Sequence, residues 1–227
     1  MGRQVRLSVG VIAILAMLAL SGAAIRDGVA DSIVYAANVE MHTWDASGSQ
    51  PGAQVVGWIR GDLQRAGASV PDDPTTHELL GVLATRELGD PANRDIARAQ
   101  FREAVRLRPS SPYTWLKLAE LRYRTGDTSS PFERDLRRAA ELGPSEPEIQ
   151  RVVVFLGLAV YDEVSEPSRE VVDSLLKAGL RRNSFEMMQI SSRRGRLDVA
   201  CRFVQGMASE MDSKSRQFCA KARGATS

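Results

Sequence analysis

The chain predicts an all-α protein: a stack of helical hairpins preceded by an N-terminal helix of membrane-spanning length. Three observations carry this. Short proline corners recur at Pro71-Asp-Asp-Pro74, Pro109-Ser-Ser-Pro112 and Pro144-Ser-Glu-Pro147, with first prolines 38 and then 35 residues apart. Each corner is preceded by the same apolar pair, a large residue eight positions before the first proline (Leu63, Phe101, Leu136) and an alanine five before it (Ala66, Ala104, Ala139). Recurrence near this length marks a repeat architecture. Thirdly, 43% of residues are apolar and only 6% aromatic, a balance rich in Ala and Leu that favours helices.

At the amino end, Arg3 and Arg6 precede an uncharged run over residues 7–25. At 1.5 Å per residue the run reaches about 28 Å, close to the hydrocarbon thickness of a bilayer. It reads either as a transmembrane anchor or as a cleaved signal segment, for which Ser21-Gly22-Ala23 supplies small residues. No cysteine stands here, which excludes a lipoprotein. In either case the arginines stay cytoplasmic and the rest lies across the membrane, in a bacterium the periplasm. Residues 1–25 are therefore the first segment.

Residues 26–70 read as a cap. Over 26–45, Val29, Ile33, Ala37, Met41 and Trp44 recur at helical spacing. Residues 46–54 form a linker by composition, and 55–66 form a lone helix with Trp58, Leu63 and Ala66 inward.

Residues 71–183 carry the repeats. Phe101, Ala104, Val105 and Leu107 make one stripe, Pro109 ends that helix, and Pro112 suits the first turn of the next. Trp115, Leu118, Ala119 and Leu121 then face inward, closed by Gly126-Asp127. These residues, with Leu136, Ala139 and Pro144 after them and Leu80-Gly81, Ala97, Phe101, Ala104 and Pro109 before, resemble the tetratricopeptide repeat family over about 63–147. Residues 90–94 lengthen the first hairpin, and Phe132 stands where the family usually has alanine. Residues 148–163, apolar almost all round, read as a buried helix rather than a strand. A partner helix runs from Pro167 to Leu180.

Residues 184–227 read as a degenerate repeat and C-terminal cap: helices over 185–194 and 197–211 turning at Gly195, a closing helix over 213–223 and a mobile tail. Cys201 and Cys219 either form a disulfide, as an oxidising compartment allows, or remain as two core thiols. Residues 177–223 hold eleven Lys and Arg against four acids, a net of +7. Residues 133–170 hold nine acids against five arginines, a net of −4. The basic end suits an anionic ligand or is an ordinary solvated face.

Hairpin stacks bind along the surface lined by the first helix of each pair. The residues expected there are Tyr113, Leu116, Glu120, Tyr123 and Arg124, with Glu78 and Arg86 on the equivalent face one repeat earlier. Tyrosine and arginine favour a protein partner. The overall charge of +2 gives no drive toward nucleic acid. No nucleotide, hydrolase or metal motif is present, so no catalytic residue, cofactor or metal ligand is expected. His77 falls where the next repeat has Trp115 and reads as a packing residue; His42 lies near Asp45 on the cap helix.

Gly28-Val29-Ala30-Asp31 and Tyr35-Ala-Ala-Asn38 ahead of Trp44, behind a single apolar N-terminal run, are similar to the VpsP-type repeat proteins of bacterial exopolysaccharide gene clusters. That resemblance implies a non-enzymatic inner-membrane scaffold with a periplasmic repeat domain, which engages polysaccharide polymerase or export components. The alternative is a soluble periplasmic peptide-binding module or chaperone, released by cleavage after Ala23.

Overall fold

The structure, a computed structural model, describes the backbone of residues 2–207 and 212–224 and the side chains of residues 17–207 and 212–220. Among the described residues there are ten α-helices, one 3-10 turn and no strand. The helices pair into repeated hairpins. The chain divides into two compact units, residues 1–107 and 108–227.

In the first unit, α1 (Gly2–Ser47) is one unbroken helix. Ala30, Val34, Ala37, Met41 and Trp44 are its buried residues, spaced four and three apart, and they pack on α2 (Ala53–Ser69). This stripe starts one residue later than Val29, which is exposed; Ile33 is only partly buried. On α2 the buried residues are Val56, Leu63 and Ala66, whereas Trp58, expected inward, is 63% exposed. Trp58 lies five residues before Leu63, about 140° round the helix at 100° per residue. Met17, Leu18, Leu20 and Ile25 on α1 are exposed. Among the described residues no helix is long and apolar enough to cross a membrane. The transmembrane expectation thus gains no support; the side chains of residues 7–16, half of the expected span, lie outside the described ones.

The first full hairpin pairs α3 (Pro74–Ala84), extended by the 3-10 turn Thr85–Glu87, with α4 (Pro91–Leu107). Of the residues 90–94 expected to lengthen this hairpin, only Asp90 lies in the connection; 91–94 form the first turn of α4, and Asp90 accepts from the Ala92 N–H at 2.9 Å. Ala97, Phe101 and Ala104 are buried, and Gly81 admits the Phe101 ring: a Cβ there would lie 2.6 Å from it.

The second unit stacks α5 (Pro112–Arg124), α6 (Ser130–Leu142), α7 (Pro147–Ala159), α8 (Glu166–Arg193), α9 (Leu197–Gly206) and α10 (Ser213–Gly224). Helix α5 packs on both α6 and α7, α7 on α6 and α8, and α10 on α9 and α8. Phe132, Leu136, Ile149, Val153, Leu158, Leu176 and Leu180 form the centre of its core. The valine run of α7 is helical because neighbours cover it on several sides. Helix α8 breaks at Asn183 (φ −145°, ψ 79°), between the two helices expected there, and the Asn183 side chain accepts from the Glu186 N–H at 3.2 Å to restart the helix. Gly126 and Gly195, at φ 77° and 67°, make the left-handed turns that close α5 and α8. The tail beyond residue 224 lies outside the described residues, as do residues 208–211 of the expected helix over 197–211.

All three corners share one hydrogen bond. The first proline stands two residues past a helix end, and the residue six positions on donates to its carbonyl: His77 Nε2 to Pro71 at 3.1 Å, Trp115 Nε1 to Pro109 at 2.9 Å, Gln150 Nε2 to Pro144 at 2.5 Å. A carbonyl only accepts, so the His77 proton sits on Nε2. The residue before each second proline is extended, as the proline ring requires. Asp73 and Ser111 there also cap α3 and α5 through their side chains. Between α5 and α6, buried Arg122 donates to buried Asp135 at 2.8 Å and to Asp127 at 2.7 Å. Removal of one partner would leave a buried charge uncompensated.

A Cβ at Gly157 would lie 2.2 Å from a Val172 methyl, so Gly157→Ala should lower stability by about 1–3 kcal/mol through overpacking. Gly57→Ala, on the open side of α2 with nothing within 4 Å, should raise it by about 0.5–1 kcal/mol. Urea midpoints of the two variants check both signs.

Acid should unfold the protein. Burial alone would raise the Asp73 carboxyl, but hydrogen bonds from Thr76 and Thr75 outweigh it, and the net direction is downward. Glu133 is likewise pulled down by Ser165 and Ser168 against its burial, and Asp127 is lowered by Ser129 and Arg122. Folded values below the unfolded ones contribute stability that is fully present above about pH 4.5 and drains away as pH falls through the folded values. A thermal midpoint that is level from pH 7 to about pH 5 and falls below about pH 4 is the expected result.

Candidate protein-interaction site

The residues expected on one open face of α5 separate. Leu116 is 2% exposed and belongs to the core. Tyr123 is half-buried, its ring 6.5 Å from that of Phe132 and 5.6 Å from the Arg194 guanidinium. The reason is geometric: α5 is packed by two helices, so its buried arc is wider than the single stripe through Leu118 and Ala119. Tyr113 is exposed and donates to Glu146 at 3.1 Å; that hydrogen bond raises the pKa of its phenol. Glu120 pairs with Lys117 at 3.3 Å, and Arg124 is exposed. In the other unit Glu78 is partly buried. Arg86 is bound to Asp45 at 2.8 Å and lies 5.1 Å from the Trp44 ring, so it fastens the 3-10 turn to α1 rather than facing outward. His77 is absorbed by the Pro71 corner and by Gln100 at 2.7 Å. His42 is exposed, while Asp45 serves Arg86. Among the described residues no three His, Cys, Asp or Glu side chains lie together as a metal site.

A groove that no sequence pattern singles out lies between the second half of α8 and α10. Its volume is about 470 Å³. Phe185, Met188, Gln189 and Ser192 line it from α8; Lys214, Ser215 and Phe218 line it from α10. Phe185 is 71% exposed and Phe218 47%, a large apolar area to leave in water. Periodicity hid them. The inward residues of these helices are Met187, Met188, Ile190 and Ser191 on one side and Ser215 and Cys219 on the other. The two phenylalanines sit just off those stripes and come together only when α10 folds back.

Two ties hold α10 in place. Cys201 and Cys219 are joined by a disulfide, which links it to α9. Asp212 accepts from Ser184 Oγ at 2.5 Å on α8, and from the N–H and Oγ of Ser215 at 2.9 and 2.8 Å. These bonds, Ser184 first, hold the Asp212 carboxyl far below the usual range. Arg193 and Lys214 stand at the groove, and no acidic side chain among the described residues forms an ion pair with either.

No protein-family model matches the chain, and no curated protein matches it. Among solved structures it is similar to a mutant O-GlcNAc transferase of Thermobaculum terrenum, at 21% identity and a TM-score of 0.49. The match covers 67% of this chain and 26% of that one, so this chain spans about a quarter of that protein.

Reduction of the disulfide should release the wall formed by α10. Closing an eighteen-residue separation is worth about 3 kcal/mol, so Cys201→Ala with Cys219→Ala should lower the melting temperature by several degrees. Amide exchange over residues 213–220 should rise first, while that of α7 stays slow.

Proposed function

We propose that this chain is a protein-interaction scaffold and not an enzyme, and that the groove between α8 and α10 is where a partner seats. The observation that carries the reading is the pair of exposed phenylalanines lining one groove, whose α10 wall is held by a disulfide and by the Ser184–Asp212 hydrogen bond. Aromatic side chains in a preformed cleft are what interface anchors require.

The location is part of the same proposal. A disulfide persists in oxidising compartments, which supports a periplasmic hairpin domain. The uncharged residues 7–25 and the exposed Met17, Leu18, Leu20 and Ile25 favour a tether in the inner membrane. The resemblance of residues 28–44 to exopolysaccharide-cluster repeat proteins extends the reading to scaffolding of polymerase or export components. The alternative, a soluble periplasmic peptide-binding module or chaperone, lacks residues 1–23 and is not tied to the membrane.

A photoreactive residue placed at Phe185 or Phe218 in cells should capture a protein partner, whereas one at the equally exposed Trp58 should not. Equal capture at all three positions would sink the groove reading. An intact mass of the mature protein that includes residues 1–23, together with membrane fractionation that is abolished by deletion of residues 7–25, is the result expected of a tether.

A further inference from the structure

Resting on the groove as a protein-binding site, we infer that its partner is an acidic amphipathic helix, with apolar residues on one face and carboxylates flanking them.

The apolar half of the argument is the groove itself. Phe185 and Met188 on α8 and Phe218 on α10 line one cleft between the two helices. That is the geometry in which a third helix lays one apolar face. A flat lipid surface fits a concave cleft poorly.

The charged half comes from separating the cations by what they already touch. Residues 177–223 carry a net of +7, but much of that charge is spent inside the unit. Lys177 lies 4.5 Å from the Phe203 ring, Arg182 donates to Gln150, and Arg194 sits 3.4 Å from the Phe155 ring and donates to the Phe155 carbonyl at 3.0 Å. Arg196 pairs with Asp162. Arg193 on α8 and Lys214 on α10 are different: they stand at the groove, one on each wall. Asp212, hydrogen-bonded by Ser184 and Ser215, keeps its charge and offsets one of them, so the lining holds two cations against one carboxylate. An incoming helix with carboxylates on both flanks of its apolar stripe meets a cation on either side. A basic helix meets repulsion on both.

Three fluorescein-labelled helical peptides test this on the full chain in detergent. All carry leucine at i, i+3, i+4 and i+7 spacing; the remaining positions are Glu, Gln or Lys. The Glu peptide should bind at least about tenfold more tightly than the Lys peptide at low salt, and the gap should close as salt screens it. Arg193→Glu with Lys214→Glu should reverse the order of the Glu and Lys peptides. Phe185→Ala with Phe218→Ala should weaken all three about equally. Both phenylalanines are exposed, so their replacement leaves the fold intact, which far-UV circular dichroism verifies. If the Gln or Lys peptide binds as tightly as the Glu peptide, the acidic partner is overturned while the groove reading stands. If none of the three binds, both fall. Binding to phosphatidylglycerol vesicles that depends on Phe218 and Lys214, without peptide binding, would replace the protein partner with a membrane.

Discussion

The repeated corner depends on one carbonyl. A proline two residues past a helix end stops the helix, and its own carbonyl then lies beyond the reach of any N–H in that helix. The next helix starts three residues later, and the backbone N–H just before it bonds back to the residue ahead of the proline, not to the proline's carbonyl. In each corner the side chain six residues on closes the gap, and three different donors serve equally: an imidazole, an indole and an amide. Because that donor also lies in the first turns of the next helix, the bond fixes where that helix starts relative to the corner. The entry of α3, α5 and α7 is thereby set by a contact within each corner.

Once the corners set the entry, small residues set the approach. Gly81 receives the Phe101 ring, Gly157 receives Val172, and Gly179 receives Met187, each at distances a side chain would forbid. Ala104 and Ala139 are fully buried at equivalent positions before their corners. The buried pair Arg122 and Asp135 then ties α5 to α6 in the second unit. This pattern of large side chain against missing Cβ is what gives each hairpin its fixed register, and such packing is sensitive to a single methyl group.

Away from the corners the last hairpin is closed by other means. Helix α8 is interrupted at Asn183, α10 folds back, and a disulfide with an Asp212 cap replaces the proline turn. Covalent and capping bonds can hold a short helix that buries little of its own surface. That is also why the face between α8 and α10 stays unfilled, and why its phenylalanines remain in water. The proposed scaffold reading rests on that unfilled face.

The sequence by itself determined the helical class, the corners at Pro71, Pro109 and Pro144, the break between 180 and 185 and the turn at Gly195; it ran two helices long, since the one expected over 148–163 ends at Ala159 and the one over 197–211 ends at Gly206. Prolines, glycines and apolar stripes act over a few residues, so their effects are visible in the string. It misplaced Trp58 and Leu116 and missed the use of Arg86, because which arc of a helix is covered depends on how many neighbours touch it. Leu116 is buried since α6 and α7 both press on α5; Arg86 is spent because Asp45 and Trp44 reach it from a segment forty residues away. The groove was illegible for the same reason. Phe185 and Phe218 lie on separate helices and meet only after the Cys201–Cys219 bond and the Ser184–Asp212 contact bring α10 against α8.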